Sequence, residues 1–193
     1  EIARRMVDRL QWFKVLPQSW LHWEPVRGGL EAHRRLRQVL PAAECLVHAQ
    51  DASLAMSATR EPAQRSWNPV RWRRATQPAS AAPDQQVAMV WANMALHQVS
   101  RPMDLLQQWH QTVSTDGFLM FSCLGPDSLR ELRNVFAAEG WPAPSHSFTD
   151  MHDWGDMLVA CGFAEPVMDM ERISLSYSSA EAMLEELRSL GRN

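Results

Sequence analysis

The chain has 193 residues, of which 46% are hydrophobic and 21% are charged. This length and composition predict one globular domain with a sizeable core, and they exclude a disordered protein. The 19 basic and 22 acidic residues give a net charge of −3, which argues against a dedicated nucleic-acid-binding protein. No apolar run is long enough for a membrane span. The three cysteines are far apart, which indicates a reducing compartment, so we expect a cytoplasmic location.

The first residues predict a helix over 1–14, because Ile2, Met6 and Leu10 share one face. The sequence opens on Glu1 rather than Met, and its first residues do not have the basic-then-apolar pattern of a signal segment. We therefore expect 1–193 to be a single domain that is a fragment of a longer chain.

Short apolar runs alternate with helical patterns along the rest of the chain. The alternation predicts βαβ units, and hence a three-layer α-β-α sandwich with a seven-stranded, mostly parallel sheet. The last two predicted strands are close together in sequence, which favours an antiparallel hairpin at the edge of the sheet. Asp116-Gly117 predicts the turn that leads into one of the strands. The predicted strands are 19–23, 44–49, 87–91 and 118–123, with weaker patterns at 68–73, 166–169 and 173–177.

Candidate binding residues follow three of these strands. Ligands of an open parallel sheet bind at the carboxyl ends of the strands. A loop with small residues after the first strand admits a ligand close to the backbone, and an acid after the second strand can accept both hydroxyls of a ribose. The pattern is typical of a site for a nucleoside-containing cofactor. The residues are Glu24, Gly28 and Gly29 after the first strand, Asp51 and Ala52 after the second, and Asn93 and Met94 after 87–91.

The second half of the chain resembles a known family. The segments that carry the resemblance are 89–97, 116–133 and 150–171. Residues 87–193 resemble the class I S-adenosylmethionine-dependent methyltransferases, most closely the malonyl-[acyl-carrier-protein] O-methyltransferases of biotin synthesis in their betaproteobacterial form. The resemblance implies S-adenosylmethionine as the cofactor at the residues named above.

The same resemblance implies the substrate and its contacts. The methyl acceptor would be a carboxylate, either an acyl-carrier-protein thioester such as malonyl-acyl carrier protein or another small carboxylate. His97, Arg130 and Arg133 are the candidate substrate residues, since the carboxylate needs a cation to position it. The alternative is that both arginines are solvated helix residues. The N-terminal lid segment of the family would precede Glu1, and neither catalytic residues nor the oligomeric state follow from the sequence.

The first loop departs from the family pattern Asp-x-Gly-x-Gly-x-Gly. The matching positions here are Glu24, Val26, Gly28 and Leu30, so one glycine of the three is retained. This departure leaves two hypotheses open. The chain is a methyltransferase, or it is a catalytically degenerate methyltransferase-like scaffold that does not bind S-adenosylmethionine.

Two further groups of residues can each be interpreted as structural or as functional. Asp150, His152, Asp153 and Asp156 favour a helix start, with Asp150 as its cap, over a metal site, so we expect no bound metal. A basic and aromatic stretch favours a solvated sheet edge over a surface for an acidic partner, and a nucleic-acid partner is the weakest of these interpretations. This stretch contains Arg60, Arg65, Trp67, Arg71, Trp72, Arg73 and Arg74.

Overall fold

A computed structural model of the chain describes residues 1–60, 78–82 and 84–189. These residues form one five-stranded sheet with helices on both faces. The strands are β1 (Ser19–Trp23), β2 (Glu44–His48), β3 (Ala79–Ser80), β4 (Val87–Ala92) and β5 (Val113–Phe121). The helices are α1 (Ile2–Asp8), α2 (Pro25–Gly28), α3 (Leu30–Val39), α4 (Ala52–Thr59), α5 (Pro102–Thr112), α6 (Arg130–Ala138), α7 (Met151–Ala160) and α8 (Ala180–Ser189). A 3₁₀ turn, Arg9–Trp12, extends α1, and a second, Leu96–Gln98, follows β4.

The sheet has the order β3-β2-β1-β4-β5, and each of these pairings is parallel. The strands predicted at 19–23 and 87–91 are confirmed as β1 and β4, and they lie side by side at the centre of the sheet with Leu21 opposite Val90. The prediction of seven strands is wrong for the described residues, which contain five. The weak strand pattern at 68–73 and most of the basic and aromatic stretch lie outside the described residues.

The predicted edge hairpin at 166–169 and 173–177 is also wrong, since neither segment is a strand. Val167 is 95% exposed and Leu175 is 67% exposed, so these two apolar side chains do not pack on a sheet. The acids of this segment pair with the first helix and its extension, through Asp169 with Arg9 and Glu171 with Arg5. A short alternating pattern forms a strand only where a neighbouring strand supplies both hydrogen bonds and an apolar face.

Asp116-Gly117 lies inside β5 and is not a turn before it. The register moves from Val87 opposite Val113 to Met89 opposite Phe118, so β5 contains extra residues at this point. Asp116 has a φ of 62°, and a Cβ on Gly117 would lie 2.8 Å from the Ala88 carbonyl oxygen. The dipeptide therefore forms a bulge, which requires the same left-handed backbone and close approach that make Asp-Gly a turn signal.

The core is divided between the two faces of the sheet. One face packs Leu21, Leu46 and Val90 against α5 and α7, and the other packs Trp20, Met89 and Trp91 against α1 and α3. The alternation of strand side chains explains why consecutive residues such as Trp20 and Leu21 join different clusters. The two clusters make the three layers that the sequence predicts. The longest described helix, α5, has 11 residues, and none of the described helices has the length and apolar character to cross a membrane.

Candidate functional site

The ends of β1, β2 and β4 meet at one edge of the sheet, as their parallel pairing requires. The loops that follow them are joined by side-chain hydrogen bonds. Glu24 after β1 accepts the N–H of Gln50 after β2, at 2.7 Å, and Asn93 after β4 donates its amide to the carbonyl of Gly28. The structure therefore brings the predicted cofactor-binding residues of these three loops together.

Glu24 holds the turn between β1 and α2. Its backbone is left-handed, with a φ of 52°, and its N–H donates to the His48 carbonyl at 2.7 Å. Its own carbonyl accepts the N–H of Gly28 at 2.8 Å. A non-glycine residue in this region is strained by about 1–3 kcal/mol, and such residues concentrate at functional sites. The turn directs the chain into a loop that crosses the end of β4.

The two glycines of this loop differ in their surroundings. Gly28 is buried, and a Cβ at this position would lie 3.0 Å from the Asn93 carbonyl oxygen, so a side chain here would push the two loops apart. Gly29 has a φ of 101°, and a Cβ on it would meet no atom within 4 Å. Gly28 therefore provides close packing between loops, whereas Gly29 borders open space. Val26 lies on α2 with 40% of its surface exposed, and Leu30 begins α3.

Asp51 is exposed after β2, and Ala52 begins α4 directly behind it. The Asp51 Oδ1 atom accepts the N–H of Leu54 at 2.8 Å, so the side chain caps this helix. A carboxylate has about four acceptor positions, and the cap uses one of them. Asp51 can therefore cap α4 and still accept hydrogen bonds from a diol.

Asn93 is buried, and its side chain makes two hydrogen bonds that close a network with Gly28 and Ser122. Its Nδ2 donates to the Gly28 carbonyl, and its Oδ1 accepts from Ser122 Oγ at 2.8 Å. Met94, with a φ of 54°, donates its N–H to Ser122 O at 3.0 Å and to Ser122 Oγ at 3.1 Å. Sequence reasoning missed Ser122, because it placed this residue inside the predicted strand 118–123, whereas the strand ends at Phe121.

The three candidate substrate residues lie around the segment that follows β5. His97 Nδ1 accepts the N–H of Leu124 at 3.4 Å, and Arg133 donates to the Pro126 carbonyl. Arg130 is exposed at the start of α6 and lies 3.6 Å from Glu131. Burial, and then the nearby His146, lower the pKa of His97 to about 4, so this ring is neutral at pH 7. Since its Nδ1 accepts, the proton of the neutral ring is on Nε2.

A buried histidine pair lies beneath the first loop. His22 of β1 and His33 of α3 stack with their Nδ1 atoms 3.1 Å apart, and both Nε2 atoms are buried without a hydrogen-bond partner. Burial, followed by Arg37 and Arg34, lowers the pKa of His33 to about 4. Burial, followed by His33, lowers the pKa of His22 well below its ordinary value. Both rings are therefore neutral at pH 7.

The acidic cluster around Asp150 does not resemble a metal centre. Asp150 Oδ1 accepts the N–H of His152 at 2.9 Å and caps α7, which confirms its predicted capping role. Within residues 1–60, 78–82 and 84–189, no three His, Cys, Asp or Glu side chains are grouped closely enough to hold a metal ion.

The residues at the sheet edge fit a nucleoside-containing cofactor. An exposed carboxylate at Asp51 suits ribose hydroxyls, and the space beside Gly29 admits a ligand close to the backbone. The strained residues Glu24 and Met94 border the same edge. The positions where the family pattern has glycine hold Val26 and Leu30, and neither side chain is buried in the gap between the loops.

Comparisons with known proteins extend these observations. No family model matches the chain. The malonyl-[acyl-carrier protein] O-methyltransferase of Gallionella capsiferriformans is 34% identical over 197 residues, which cover 99% of this chain and 67% of that protein. The malonyl-[acyl-carrier protein] O-methyltransferase of Laribacter hongkongensis is 46% identical over 103 residues, 53% of this chain and 35% of that protein. The chain thus spans about two thirds of the first relative and about a third of the second.

A solved structure with a similar fold is the plantazolicin methyltransferase BpumL, in complex with a monoazolic desmethylPZN analog and SAH. Its TM-score is 0.54 at 11% identity, and the match covers 82% of this chain and 61% of that one. This likeness shows the Rossmann-like methyltransferase fold. Because the similarity to the Gallionella relative extends over nearly the whole chain and two thirds of that protein, this chain belongs to the malonyl-[acyl-carrier protein] O-methyltransferase family.

Proposed function

We propose that the chain transfers a methyl group from S-adenosylmethionine to a carboxylate, with malonyl-acyl carrier protein as the acceptor. The relatives with this name support the proposal, and the observation that carries it is the position of Asp51. This carboxylate is exposed at the same sheet edge as Glu24, Asn93 and the open space beside Gly29. We also propose that 1–193 forms a single methyltransferase-like domain.

The loops after β1, β2 and β4 would hold the cofactor. Asp51 would accept hydrogen bonds from the ribose hydroxyls, and a charge-assisted bond of this kind contributes roughly 1.5–3 kcal/mol. Gly29 would allow the backbone to approach the cofactor, while Gly28 packs against Asn93, which holds that loop in place. When bound, S-adenosylmethionine supplies an electrophilic methyl group on a sulfonium sulfur.

The acceptor needs positioning more than acid–base chemistry. A carboxylate is ionised at pH 7 and already carries the lone pair that attacks the methyl carbon, so alignment of the two reactants supplies most of the rate enhancement. Arg130, exposed on α6, is a cation that could pair with this carboxylate, with Arg133 one turn further along the helix. His97, which is neutral at pH 7, would serve as a hydrogen-bond donor through Nε2.

Calorimetric titration of the chain with S-adenosylmethionine tests the cofactor assignment. We expect binding by the wild type and an increase in Kd of about tenfold or more in Asp51→Ala. Asp51→Ser separates the two roles of this residue, because serine retains the helix cap but has no carboxylate. Equal loss of affinity in both variants, with thermal stability retained in Asp51→Ser, would support the ribose contact. An unchanged Kd in both would place the cofactor elsewhere.

Methyl transfer from labelled S-adenosylmethionine tests the acceptor. We expect label on malonyl-acyl carrier protein and none on acetyl-acyl carrier protein, which lacks the free carboxylate. Arg130→Gln should raise KM for the malonyl substrate more than it lowers kcat, because it removes a cation that binds the ground state as well as the transition state. Equal labelling of both thioesters would contradict the carboxylate assignment.

The alternative of a degenerate scaffold gains no support from the comparisons, since the relatives are named as methyltransferases. Binding measurements on a glycine variant distinguish this alternative from the methyltransferase hypothesis. Restoring glycine at Val26 and Leu30 should change the Kd little if the wild type binds. Absence of wild-type binding, followed by binding in the glycine variant, would favour the scaffold.

A further inference from the structure

Ser122 is the point at which the loops after β1, β4 and β5 are linked. It follows β5 directly and is half-buried, and its N–H donates to the Ala92 carbonyl at 3.0 Å. Its carbonyl accepts the N–H of Met94, also at 3.0 Å. These two bonds continue the pairing of β4 with β5 past the end of the sheet, so Ser122 has a fixed backbone position beside Asn93.

The Ser122 hydroxyl and the Gly28 carbonyl hold the Asn93 amide from its two ends. The oxygen accepts the N–H of Met94 at 3.1 Å, and its single proton is donated to Asn93 Oδ1 at 2.8 Å. With Oδ1 held on this side, the Nδ2 group faces Gly28 and donates to its carbonyl. An isolated asparagine amide has two orientations related by a flip. The Gly28 carbonyl only accepts and so requires Nδ2 on its side, and the Ser122 hydroxyl then holds Oδ1 by donating its proton.

The contact that results leaves little room for another arrangement. Asn93 is 8% exposed, so a polar atom that lost its partner would be largely cut off from water. The backbones of Gly28 and Asn93 are also close enough that a Cβ on Gly28 would lie 3.0 Å from the backbone carbonyl oxygen of Asn93. Side-chain bonding and backbone packing therefore act on the same pair of loops.

We propose that Ser122 is a positioning residue that acts through Asn93 to hold the loop from Glu24 to Gly29 in its ligand-binding conformation. The inference rests on the proposed function, because its consequence is the affinity for S-adenosylmethionine. Ser122 touches neither the cofactor nor the acceptor in this role. Removing its hydroxyl releases the amide of Asn93, which in turn loosens its bond to Gly28.

Calorimetry with S-adenosylmethionine on the wild type and three variants of the full chain tests the proposal. Ser122→Ala should raise the Kd about tenfold, and Ser122→Thr, which keeps the hydroxyl, should restore it to within about threefold of the wild type. Ser114→Ala is the matched control, since it removes a half-buried hydroxyl near the start of β5, at the opposite end of this strand from Ser122, and it should leave the Kd unchanged. Equal affinity of Ser122→Ala and the wild type would overturn the proposal.

A double-mutant cycle distinguishes positioning through Asn93 from a general loss of stability. If Ser122 acts through this residue, Ser122→Ala should cause no further loss of affinity in an Asn93→Ala background. An additive loss would overturn the proposal. Should Asn93→Ala fail to fold, as judged by thermal unfolding, Asn93→Ser takes its place in the cycle.

A measurement without ligand separates failure of this inference from failure of the proposed function. The side-chain amide protons of Asn93 should exchange slowly with water in the wild type and at least tenfold faster in Ser122→Ala, as followed by NMR. Unchanged exchange would overturn the positioning role even if S-adenosylmethionine binds. Faster exchange together with no binding by the wild type would uphold the contact between the loops and reject the proposed function.

Discussion

The part of the molecule from β1 to β4 and the part after β5 are held together in different ways. In β4 five of six residues are buried, and α3 contributes four buried residues. In residues 122–188, by contrast, the buried residues are Phe148, Trp154 and Leu158, and α6 has none. The candidate cofactor residues belong to the densely packed part, whereas Arg130 and Arg133 lie on α6. We infer that the cofactor end of the site is preorganised by the core and that the acceptor end depends on surface contacts.

The largest expected difference in the free energy of unfolding is between alanine variants of two leucines, one on a helix of each part. Leu36 of α3 is fully buried, so Leu36→Ala should lower the free energy of unfolding by about 2–5 kcal/mol. Leu132 of α6 is half-buried, and Leu132→Ala should cost about 1 kcal/mol or less. Urea denaturation of both variants measures the difference. Similar losses would show that α6 is packed as tightly as α3.

The next effect concerns a glycine in each part. Gly28→Ala should destabilise the chain by about 1–3 kcal/mol, because the new Cβ would lie 3.0 Å from the Asn93 carbonyl oxygen. Gly125→Ala is the control, since a Cβ there meets nothing within 4 Å, and its effect should be within about 0.5 kcal/mol. Thermal unfolding compares the two variants. A neutral Gly28→Ala would mean that the two loops separate at little cost.

Acidification should lower the free energy of unfolding, because His22 and His33 are buried in their neutral form in the folded state. Their pKa values are lower in the folded state than in the unfolded chain, so the unfolded state binds more protons as the pH falls below about 6.5. Stability should therefore decrease between pH 7.5 and 5.5, by roughly 1 kcal/mol for each ring. Denaturation at several pH values measures this slope, and His33→Gln should reduce it. A slope that is the same in the variant would assign the pH dependence to other groups.

The smallest effect concerns the ion pairs that join the C-terminal segment to the start of the chain. Glu171 pairs with Arg5 and Arg9 at the surface, and Glu171→Gln should lower the Tm by no more than about 2 °C at low salt. The difference should disappear at about 1 M salt, because the Debye length is then about 3 Å. A larger shift that persists at high salt would indicate packing rather than charge as the source of this contact.

The sequence correctly predicted the strands that are specified by their own residues. The runs of β1, β2 and β4 lie between polar turns and are apolar enough to be buried on both faces, and the structure confirms them. The patterns at 166–169 and 173–177 required a partner strand that no local signal specifies, and that prediction was wrong. The start of β5 was placed too late, because Asp116-Gly117 has the same sequence signal in a bulge as in a turn.

In the candidate site, too, some features could be predicted from the sequence and others could not. Parallel topology alone is enough to bring Glu24, Asp51 and Asn93 to one edge, so their meeting could be predicted from the order of the strands. The capping bond of Asp51 to Leu54 also follows from the residue type before a helix. The bond between Ser122 and Asn93 depends on the register of β4 and β5, which three extra residues in β5 determine. Such a register cannot be derived from either strand alone.

The bulge in β5 also bears on how the molecule behaves at high concentration. Among the described residues β5 is an edge strand of nine residues, long enough to act as a template for a strand of another molecule. The left-handed residue Asp116 interrupts its row of N–H and C=O groups and bends the strand locally. Gly117 keeps this interruption in place, since a side chain there would collide with the Ala88 carbonyl. Replacing Asp116-Gly117 with residues that favour a regular strand would therefore be expected to promote edge-to-edge association and lower solubility.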